Sequence, residues 1–342
     1  MRAASRRGAY CGGQRDTAAM KVVVTGAAGF LGARLAARLA AGDAALPVTE
    51  LLLVDVVPPP LPPRAQVPVA TLVLELGAPG AAQRVIAPDT DVLFHLAAVV
   101  SGHAEADLEL GLRVNFDATR ALLDEAARTN PALRLVFAST VGVFGGELPD
   151  VVDDLTALTP QNSYGTAKAM SELLIDDYSR RGLVDGRSVR LPTVSVRAGA
   201  ANRAVTSFAS GIVREPLAGL PADCPVPLEQ RLWLCSPAAA LRNLQRAATV
   251  PAAALGERRA LTLPGLSVAV GDMLAALAAV AGPAVTGRVR LAPDAAVARM
   301  VASFPAQFTA ARALRLGFTA DASFEDIIRD YIRDELGGSY VH

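Results

Sequence analysis

The stretch that decides the fold is Val22-Val23-Val24-Thr25-Gly26-Ala27-Ala28-Gly29-Phe30-Leu31-Gly32. Its valines predict a short buried strand, and the residues from Leu31 onward have the apolar spacing of a helix. In the turn between them, Gly26 permits a sharp bend, Gly29 lets backbone amides approach a ligand, and Gly32 lets the helix lie close to the strand. The start of such a helix offers unpaired N–H groups and roughly half a positive charge to a pyrophosphate. The stretch therefore predicts a dinucleotide site, and an ordinary glycine turn is the alternative.

Strand and helix alternate through the first half of the chain. Short runs rich in Val and Leu predict buried parallel strands at residues 22–24, 51–57, 67–76, 92–96 and 133–138. Apolar residues at helical spacing predict helices at residues 31–41, 80–86 and 108–128, followed by a helix at 164–181 and a strand at 188–194. Right-handed crossovers then give an α/β fold, a Rossmann-like doubly wound parallel sheet that binds ligands at the C-terminal ends of its strands.

The chain divides into three predicted parts. Residues 1–19 are irregular and are expected to be either a flexible extension or an upstream start without functional weight. Residues 20–196 form the predicted Rossmann domain. Residues 197–342 are expected to form mainly a smaller C-terminal substrate lobe, because Gly and Pro often interrupt its helical stretches at 237–248, 270–280 and 324–336.

Composition excludes several classes of function. With 52% apolar residues in 342, the chain can bury a large core, and the 33 basic residues balance the 33 acidic ones. No excess positive charge favours a nucleic-acid partner, and no apolar run is long enough to cross a membrane. Three cysteines and three histidines form no ligand-like cluster, so neither a metal site nor a disulfide scaffold is expected. Cytoplasmic localisation is the default expectation.

Asp55 ends the second predicted strand, where a carboxylate can accept the two hydroxyls of an adenosine ribose. It favours NAD over NADP, because the carboxylate would repel a 2′-phosphate and the following Val56 and Val57 offer no basic group. Arg64 lies near enough in sequence to keep a phosphate contact open. The alternative is that Asp55 is a simple turn acid.

Tyr164 and Lys168 stand four residues apart on a predicted helix, which places their Cβ atoms about 5 to 6 Å apart on one face. A phenol is too weakly acidic to serve as a base at neutral pH, but a neighbouring ammonium lowers its pKa. Tyr164 is thus the candidate general base, and Lys168 can also bind a nicotinamide ribose. With five Tyr and two Lys in the chain, chance gives such a pair a probability of about 3%. The alternative is a solvated helix pair.

Ser139 and Thr140 end the fifth predicted strand. We expect Thr140 to orient the reacting hydroxyl and support its developing charge. Ser139 either shares this task or contacts substrate, and capping of local backbone remains an equal alternative for it.

Together these motifs resemble the extended short-chain dehydrogenase/reductase superfamily, the NAD-dependent epimerases and dehydratases. The resemblance implies a Rossmann fold, NAD as cofactor and a homodimer formed by the helices at 108–128 and 164–181. His95-Leu96-Ala97-Ala98 is similar to the segment that flanks the cofactor after strand four, although His95 itself is expected to be a packed histidine. Asn115 resembles a helix-borne asparagine that steadies the active-site backbone. The cofactor contacts implied are Gly26, Ala28, Gly29, Phe30, Leu31, Gly32, Asp55, Glu75, Leu76, Leu96, Ala97, Ala98, Asn115, Tyr164, Lys168 and Pro192.

A closer resemblance is to one branch of these enzymes, the D-erythronate dehydrogenases. It rests on segments such as Val99-Val100-Ser101-Gly102, Phe144-Gly145-Gly146-Glu147-Leu148-Pro149 and Arg214-Glu215-Pro216-Leu217. Glu75 and Thr140 depart from the usual Asp and Ser but keep the functional groups. The implied reaction oxidises the C2 hydroxyl of D-erythronate, or a related four-carbon sugar acid, to the 2-oxo acid. The implied substrate contacts are Ser101, Ser139, Thr140, Tyr164, Thr193, Arg197, Asn202, Ser207 and Arg214, of which either Arg197 or Arg214 would bind the carboxylate.

Two other functions remain open on the sequence. A nucleotide-sugar 4-epimerase or dehydratase uses the same fold and the same Tyr–Lys pair but retains its NAD through the cycle. A regulatory protein that senses the dinucleotide would bind NAD without turnover, and such proteins usually lack a competent Tyr and Lys.

Overall fold

The computed structural model describes residues 19–42, 46–199 and 204–341. Its strands are β1 (Met20–Thr25), β2 (Val48–Asp55), β3 (Val69–Val73), β4 (Val92–His95), β5 (Arg134–Thr140), β6 (Asp185–Leu191), β7 (Thr193–Val194), β8 (Ala222–Cys224), β9 (Arg231–Cys235), β10 (Ala260–Thr262), β11 (Leu266–Ala269) and β12 (Val289–Leu291). Its helices are α1 (Phe30–Ala40), α2 (Ala81–Val85), α3 (Ser101–Ala106), α4 (Leu108–Leu112), α5 (Ala118–Thr129), α6 (Ser163–Arg180), α7 (Phe208–Leu217), α8 (Pro237–Thr249), α9 (Ala252–Leu255), α10 (Val270–Ala281), α11 (Pro283–Thr286), α12 (Ala295–Ala302), α13 (Ala311–Arg315) and α14 (Phe324–Glu335).

Seven parallel strands form the central sheet in the order β3-β2-β1-β4-β5-β6-β10. The strand order reverses between β1 and β4, and parallel sheets of this kind bind ligands in the crevice at that point. The predicted doubly wound α/β fold is therefore confirmed. Among the described residues, no helix is both long and apolar enough to cross a bilayer.

Two hydrophobic cores cover the faces of the sheet. On one face α1 and α8 pack on the strands, with Leu35 and Leu244 fully buried. On the other face α2, α5 and α6 pack on them, with Leu122 and Ile175 buried. Helices on both faces explain why the central strands are almost continuously apolar.

Residues 197–342 contribute both to a separate C-terminal core and to the main sheet. A third core joins α7, α10 and α14 with β9, and β9 forms a small sheet with β7 and β11. By contrast, β10 extends the main sheet beside β6. Residues 237–262 thus return to the Rossmann side, a long-range pairing that composition cannot reveal.

Local differences from the sequence expectations have physical causes. The strand expected to be buried at 67–76 is a shorter, half-exposed edge strand, β3, because only β2 pairs with it. The helix expected at 108–128 is divided by a π turn at Arg113–Asp117. The strand expected at 188–194 breaks at Pro192, after which β7 leaves for the smaller sheet.

Candidate active site

The glycine turn between β1 and α1 is closed by the backbone of a neighbouring segment. Gly26 has a φ of +73°, and a Cβ on it would lie 2.6 Å from the backbone nitrogen of Ala97. A Cβ on Gly32 would lie 2.0 Å from the carbonyl oxygen of Gly26, so only glycine lets α1 start this close to the turn. Gly29 is the N-cap of α1 and has no side chain to cap the first turn. The free amides of that turn fit a pyrophosphate.

Asp55 holds the same turn through its side chain. One carboxylate oxygen accepts the N–H of Ala28 at 2.9 Å, and the other accepts that of Val56 at 2.7 Å. A simple turn acid would account for the contact with Val56 but not for the contact with Ala28. The carboxylate is therefore fixed beside the glycine turn, at the carboxyl end of β2, where a ribose acceptor is expected.

The other predicted cofactor contacts differ in position. A cavity of about 380 Å³ opens at the carboxyl ends of the central strands, and its lining includes Gly26, Gly29, Phe30, Leu31, Gly32, Leu96, Ala98, Tyr164, Lys168 and Pro192. Beyond β3, Leu76 is buried and Glu75 forms an ion pair with Arg113 at 3.4 Å. Glu75 and Leu76 lie outside the cavity lining, toward the edge of the sheet where β3 ends.

Asn115 clamps the loop that follows β4. Its side-chain amide donates to the carbonyl of Val99 at 3.0 Å, and its side-chain oxygen accepts the N–H of Val99 at 2.8 Å. Asn115 lies in the π turn, and its own carbonyl accepts the hydroxyls of Thr119 and Ser171. The interruption of the helix is thus tied to the loop beside the cavity, whose backbone Asn115 holds at Val99.

The start of α6 lies tightly against the turn after β5. The Asn162 side chain caps the helix by accepting the N–H of Gly165 at 2.8 Å. A Cβ on Gly165 would lie 2.2 Å from the carbonyl oxygen of Gly142. The missing side chain therefore brings Tyr164 next to the end of β5.

Tyr164 and Lys168 both face the cavity, as their spacing predicts. Lys168 is only 1% exposed, and its ammonium donates to the carbonyl of Ala138 at 2.9 Å. The same nitrogen lies 4.3 Å from the centre of the Phe137 ring and 5.7 Å from that of the Tyr164 ring. The pair is therefore no solvated helix pair.

Burial sets the protonation of this pair. It raises the pKa of Tyr164 to about 12 and lowers the pKa of Lys168 to about 7, although the Glu172 carboxylate acts in the opposite direction on Lys168. The expectation of a lowered pKa for Tyr164 is wrong for this structure, because burial of the phenol disfavours its charged form and raises the pKa above its ordinary value of 10. Tyr164 is thus a protonated phenol at neutral pH, and Lys168 gains and loses its proton near neutrality.

The structure separates the two hydroxyls that end β5. Thr140 lines the cavity, and its oxygen accepts the N–H of Gly142 at 3.0 Å, which leaves its O–H available to a ligand. Ser139 also lines the cavity, but it is 2% exposed and donates its hydroxyl to the buried carboxylate of Glu172. Among the described residues, the Ser139 hydroxyl therefore caps no backbone group, and its proton is held by Glu172.

Most of the predicted substrate contacts line this same cavity. Ser101, Thr193, Arg197, Ser207 and Arg214 all line it, while Asn202 lies outside the described residues. Sequence reasoning missed Asn162, Trp233 and Phe304 in the lining. Trp233 and Phe304 carry no polar motif, and the capping pattern of Asn162 is the one signal that could have been used.

The two candidate arginines have different surroundings. Arg214 is 9% exposed and donates to the carbonyl of Arg197 at 2.8 Å and to the carboxylate of Glu215. The Arg197 guanidinium lies 5.2 Å from the centre of the Phe30 ring, and within the described ranges it has no hydrogen-bond partner. Burial, together with the charge of Arg214, lowers the pKa of Arg197. Judged by its contacts with described residues, Arg197 is therefore the arginine with donors available to an anion in the cavity.

His95 is a packed histidine, as expected. It is fully buried, its ring nitrogens contact the hydroxyls of Thr25 at 2.7 Å and Thr119 at 3.0 Å, and burial lowers its pKa to about 3. Across the described part of the chain, no group of His, Cys, Asp or Glu side chains could hold a metal ion.

Several known proteins are similar to this chain in sequence or in fold. The model of the NAD dependent epimerase/dehydratase family matches residues 22–231. A D-erythronate dehydrogenase of Cupriavidus necator is 50% identical over 92% of this chain and 98% of its own length. A D-erythronate dehydrogenase of Haemophilus influenzae is 44% identical over 93% of this chain and 100% of its own. A solved structure described as a nucleoside-diphosphate-sugar epimerase from Agrobacterium tumefaciens has a TM-score of 0.90 at 43% identity, covering 94% of this chain and 96% of that one.

The glycine turn, the fixed Asp55 carboxylate and the Tyr164–Lys168 pair have the chemistry that a nicotinamide dinucleotide requires. The family model spans more than half of the chain and includes all of these residues. The chain therefore belongs to the NAD-dependent epimerase/dehydratase family of oxidoreductases, and its cofactor is NAD.

Proposed function

We propose that this protein oxidises the C2 hydroxyl of D-erythronate, or of a closely related four-carbon sugar acid, to the 2-oxo acid. The observation that carries the proposal is the meeting of Tyr164, Lys168, Thr140 and Arg197 around one cavity. Tyr164, Lys168 and Thr140 can bind a substrate hydroxyl and remove its proton. Arg197 can bind a substrate carboxylate. Two relatives named D-erythronate dehydrogenase, aligned over nearly their whole lengths, support the choice of substrate.

Tyr164 is the proposed general base, and Thr140 orients the hydroxyl that it deprotonates. NAD, when bound, supplies the hydride acceptor. Because burial holds the pKa of Tyr164 at about 12, proton removal needs positive charge close to the phenol. The protonated form of Lys168 provides such charge on the same helix face, since an ammonium favours phenolate.

Arg197 is the proposed carboxylate ligand. Arg214 already donates to a carbonyl and to Glu215, whereas the Arg197 guanidinium donates to no other residue that the structure describes. A guanidinium can pair with a carboxylate through two parallel hydrogen bonds. Arg214 supports this arrangement by holding the Arg197 backbone.

A nucleotide-sugar epimerase or dehydratase is the second candidate. It is favoured by one observation, the similarity to the Agrobacterium tumefaciens structure described as a nucleoside-diphosphate-sugar epimerase. The two functions differ in the fate of the electrons, because an epimerase regenerates its NAD in each turnover and a dehydrogenase releases NADH.

The decisive experiment is an absorbance assay for reduced nicotinamide with four- and five-carbon aldonic acids, run with NAD and with NADP. We expect stoichiometric NADH with D-erythronate and none with UDP-hexoses. Epimerised UDP-hexose without net NADH, together with no reaction of any aldonic acid, would remove the dehydrogenase proposal.

We also propose that the protein is a cytoplasmic homodimer formed through α5 and α6. The exposed side chain of Leu173 on α6, 63% accessible, suits an interface. Light scattering tests this, and Leu173→Glu is expected to yield monomers.

A further inference from the structure

A buried ionic network lies on α6, one helical turn beyond Lys168. Glu172 is 1% exposed and Arg190, from β6, is 6% exposed. The Nε of Arg190 lies 3.1 and 3.0 Å from the two Glu172 oxygens, and its Nη2 lies 2.7 Å from one of them. The remaining donor to this carboxylate among the described residues is the Ser139 hydroxyl. A buried carboxylate with this many donors is fully satisfied and fixed in place.

The network and Lys168 together attach α6 to the end of β5. The Lys168 ammonium binds the carbonyl of Ala138, and Glu172 binds the side chain of the next residue, Ser139. Arg190 lies opposite Ser139 in the strand register, so β6 supports the same point. The following residue of β5 is Thr140, whose hydroxyl lines the cavity.

Arg190 also fixes the turn after β5. Its guanidinium lies 4.9 Å from the centre of the Phe144 ring, just beyond the short helical turn at Val141–Val143. Gly142 in that turn donates to Thr140. The ion pair thus contacts the chain on both sides of Thr140, at Ser139 and at Phe144.

We propose that Glu172 is a positioning residue: clamped by Arg190, it engages the proton of the Ser139 hydroxyl, so that Thr140 is the strand-end hydroxyl that can donate to substrate, and it places a negative charge one helical turn from the Lys168 ammonium. This inference rests on the proposed dehydrogenase function.

Charges around Lys168 support the second part of this role. On its own helix it faces Tyr164 and Glu172, on β4 it faces the neutral His95, and on β6 the Arg190 charge lies beyond Glu172. β5 contributes the Phe137 ring and the Ala138 carbonyl, neither of which titrates. Among these groups, the Glu172 carboxylate is the one that raises the pKa of Lys168.

The test compares Glu172→Gln, Glu172→Asp and a matched control, Glu125→Gln, in the presence of NAD and aldonic acid. Glu125 is also buried and paired with an arginine, Arg128, but on α5. We expect Glu172→Gln to lower kcat on the order of 10- to 100-fold. We also expect the alkaline limb of its kcat/KM profile to move about 1 unit toward lower pH, because Lys168 then loses its proton earlier. Glu172→Asp keeps the charge and should restore the limb, and the control should move neither quantity.

Variants at Ser139 and Thr140 test which of the two hydroxyls contacts the substrate. Ser139→Ala is expected to lower kcat less than about tenfold, against about 100-fold for Thr140→Val, which removes a group that supports developing charge. Adding Ser139→Ala to Glu172→Gln should have no further effect, since the two residues act through one contact.

The outcomes separate this inference from the proposed function. Wild-type protein that turns over no aldonic acid contradicts the function. An active wild type overturns the inference if Glu172→Gln leaves the alkaline limb in place, or if Ser139→Ala costs as much as Thr140→Val. If Glu172→Gln does not fold, the Ser139 and Thr140 comparison alone decides.

Discussion

Replacement of Tyr164 by Phe removes one oxygen from the cavity and leaves the ring in place. General-base catalysis contributes about 10²- to 10⁴-fold, so kcat should fall by that factor, equivalent to about 3 to 5 kcal/mol. Binding of NAD should persist, because the glycine turn and Lys168 are unchanged. The Tyr164 hydroxyl makes no hydrogen bond to any other described residue, so the free energy of unfolding should change by less than about 0.5 kcal/mol.

Tyr178→Phe is the matched control on the same helix. The Tyr178 hydroxyl donates to Asp124 near the surface, so its removal should leave kcat unchanged. The assays are NADH formation with D-erythronate, NAD titration by fluorescence and urea unfolding. A Tyr164→Phe enzyme that keeps more than about a tenth of the wild-type kcat refutes the assignment of the general base.

Three further predictions follow from the geometry. Arg197→Ala should raise the KM for the acid at least about tenfold and leave the Kd for NAD unchanged, and an equal loss of both in titrations would contradict a substrate role. Gly32→Ala should abolish NAD binding in calorimetry, since its Cβ would lie 2.0 Å from the Gly26 oxygen, whereas Gly271→Ala, with its nearest atom at 3.4 Å, should bind normally. His95 has a folded pKa of about 3 against an ordinary 6.5, so the unfolded state binds more protons between these values and stability falls as pH drops through that window, by on the order of 5 kcal/mol. In urea unfolding, a His95→Gln variant should lose this part of the acid sensitivity, and an unchanged acid dependence would argue against a buried neutral His95.

The sequence predicted the features that depend on neighbouring residues. Residues close in sequence are enough to predict the glycine turn, the strand-end position of Asp55 and the shared helix face of Tyr164 and Lys168. The π turn at Asn115 escaped prediction, because apolar spacing continues through it while the hydrogen bonds do not.

Other assignments depend on elements that are distant along the chain. Ser139 meets Glu172 across 33 residues and Glu172 meets Arg190 across 18, and only the packing of α6 on β5 and β6 brings them together. The choice between Arg197 and Arg214 likewise depends on which partners surround each guanidinium.

By itself, the sequence determined that this chain forms a parallel sheet with a dinucleotide turn and a Tyr–Lys helix, because these follow from periodicity and short-range spacing. Only the tertiary structure decided which hydroxyl and which arginine are available, and that the pKa of Tyr164 is raised rather than lowered. The physical reason is that burial and hydrogen-bond partners belong to the packed arrangement of several segments, and no single segment contains them.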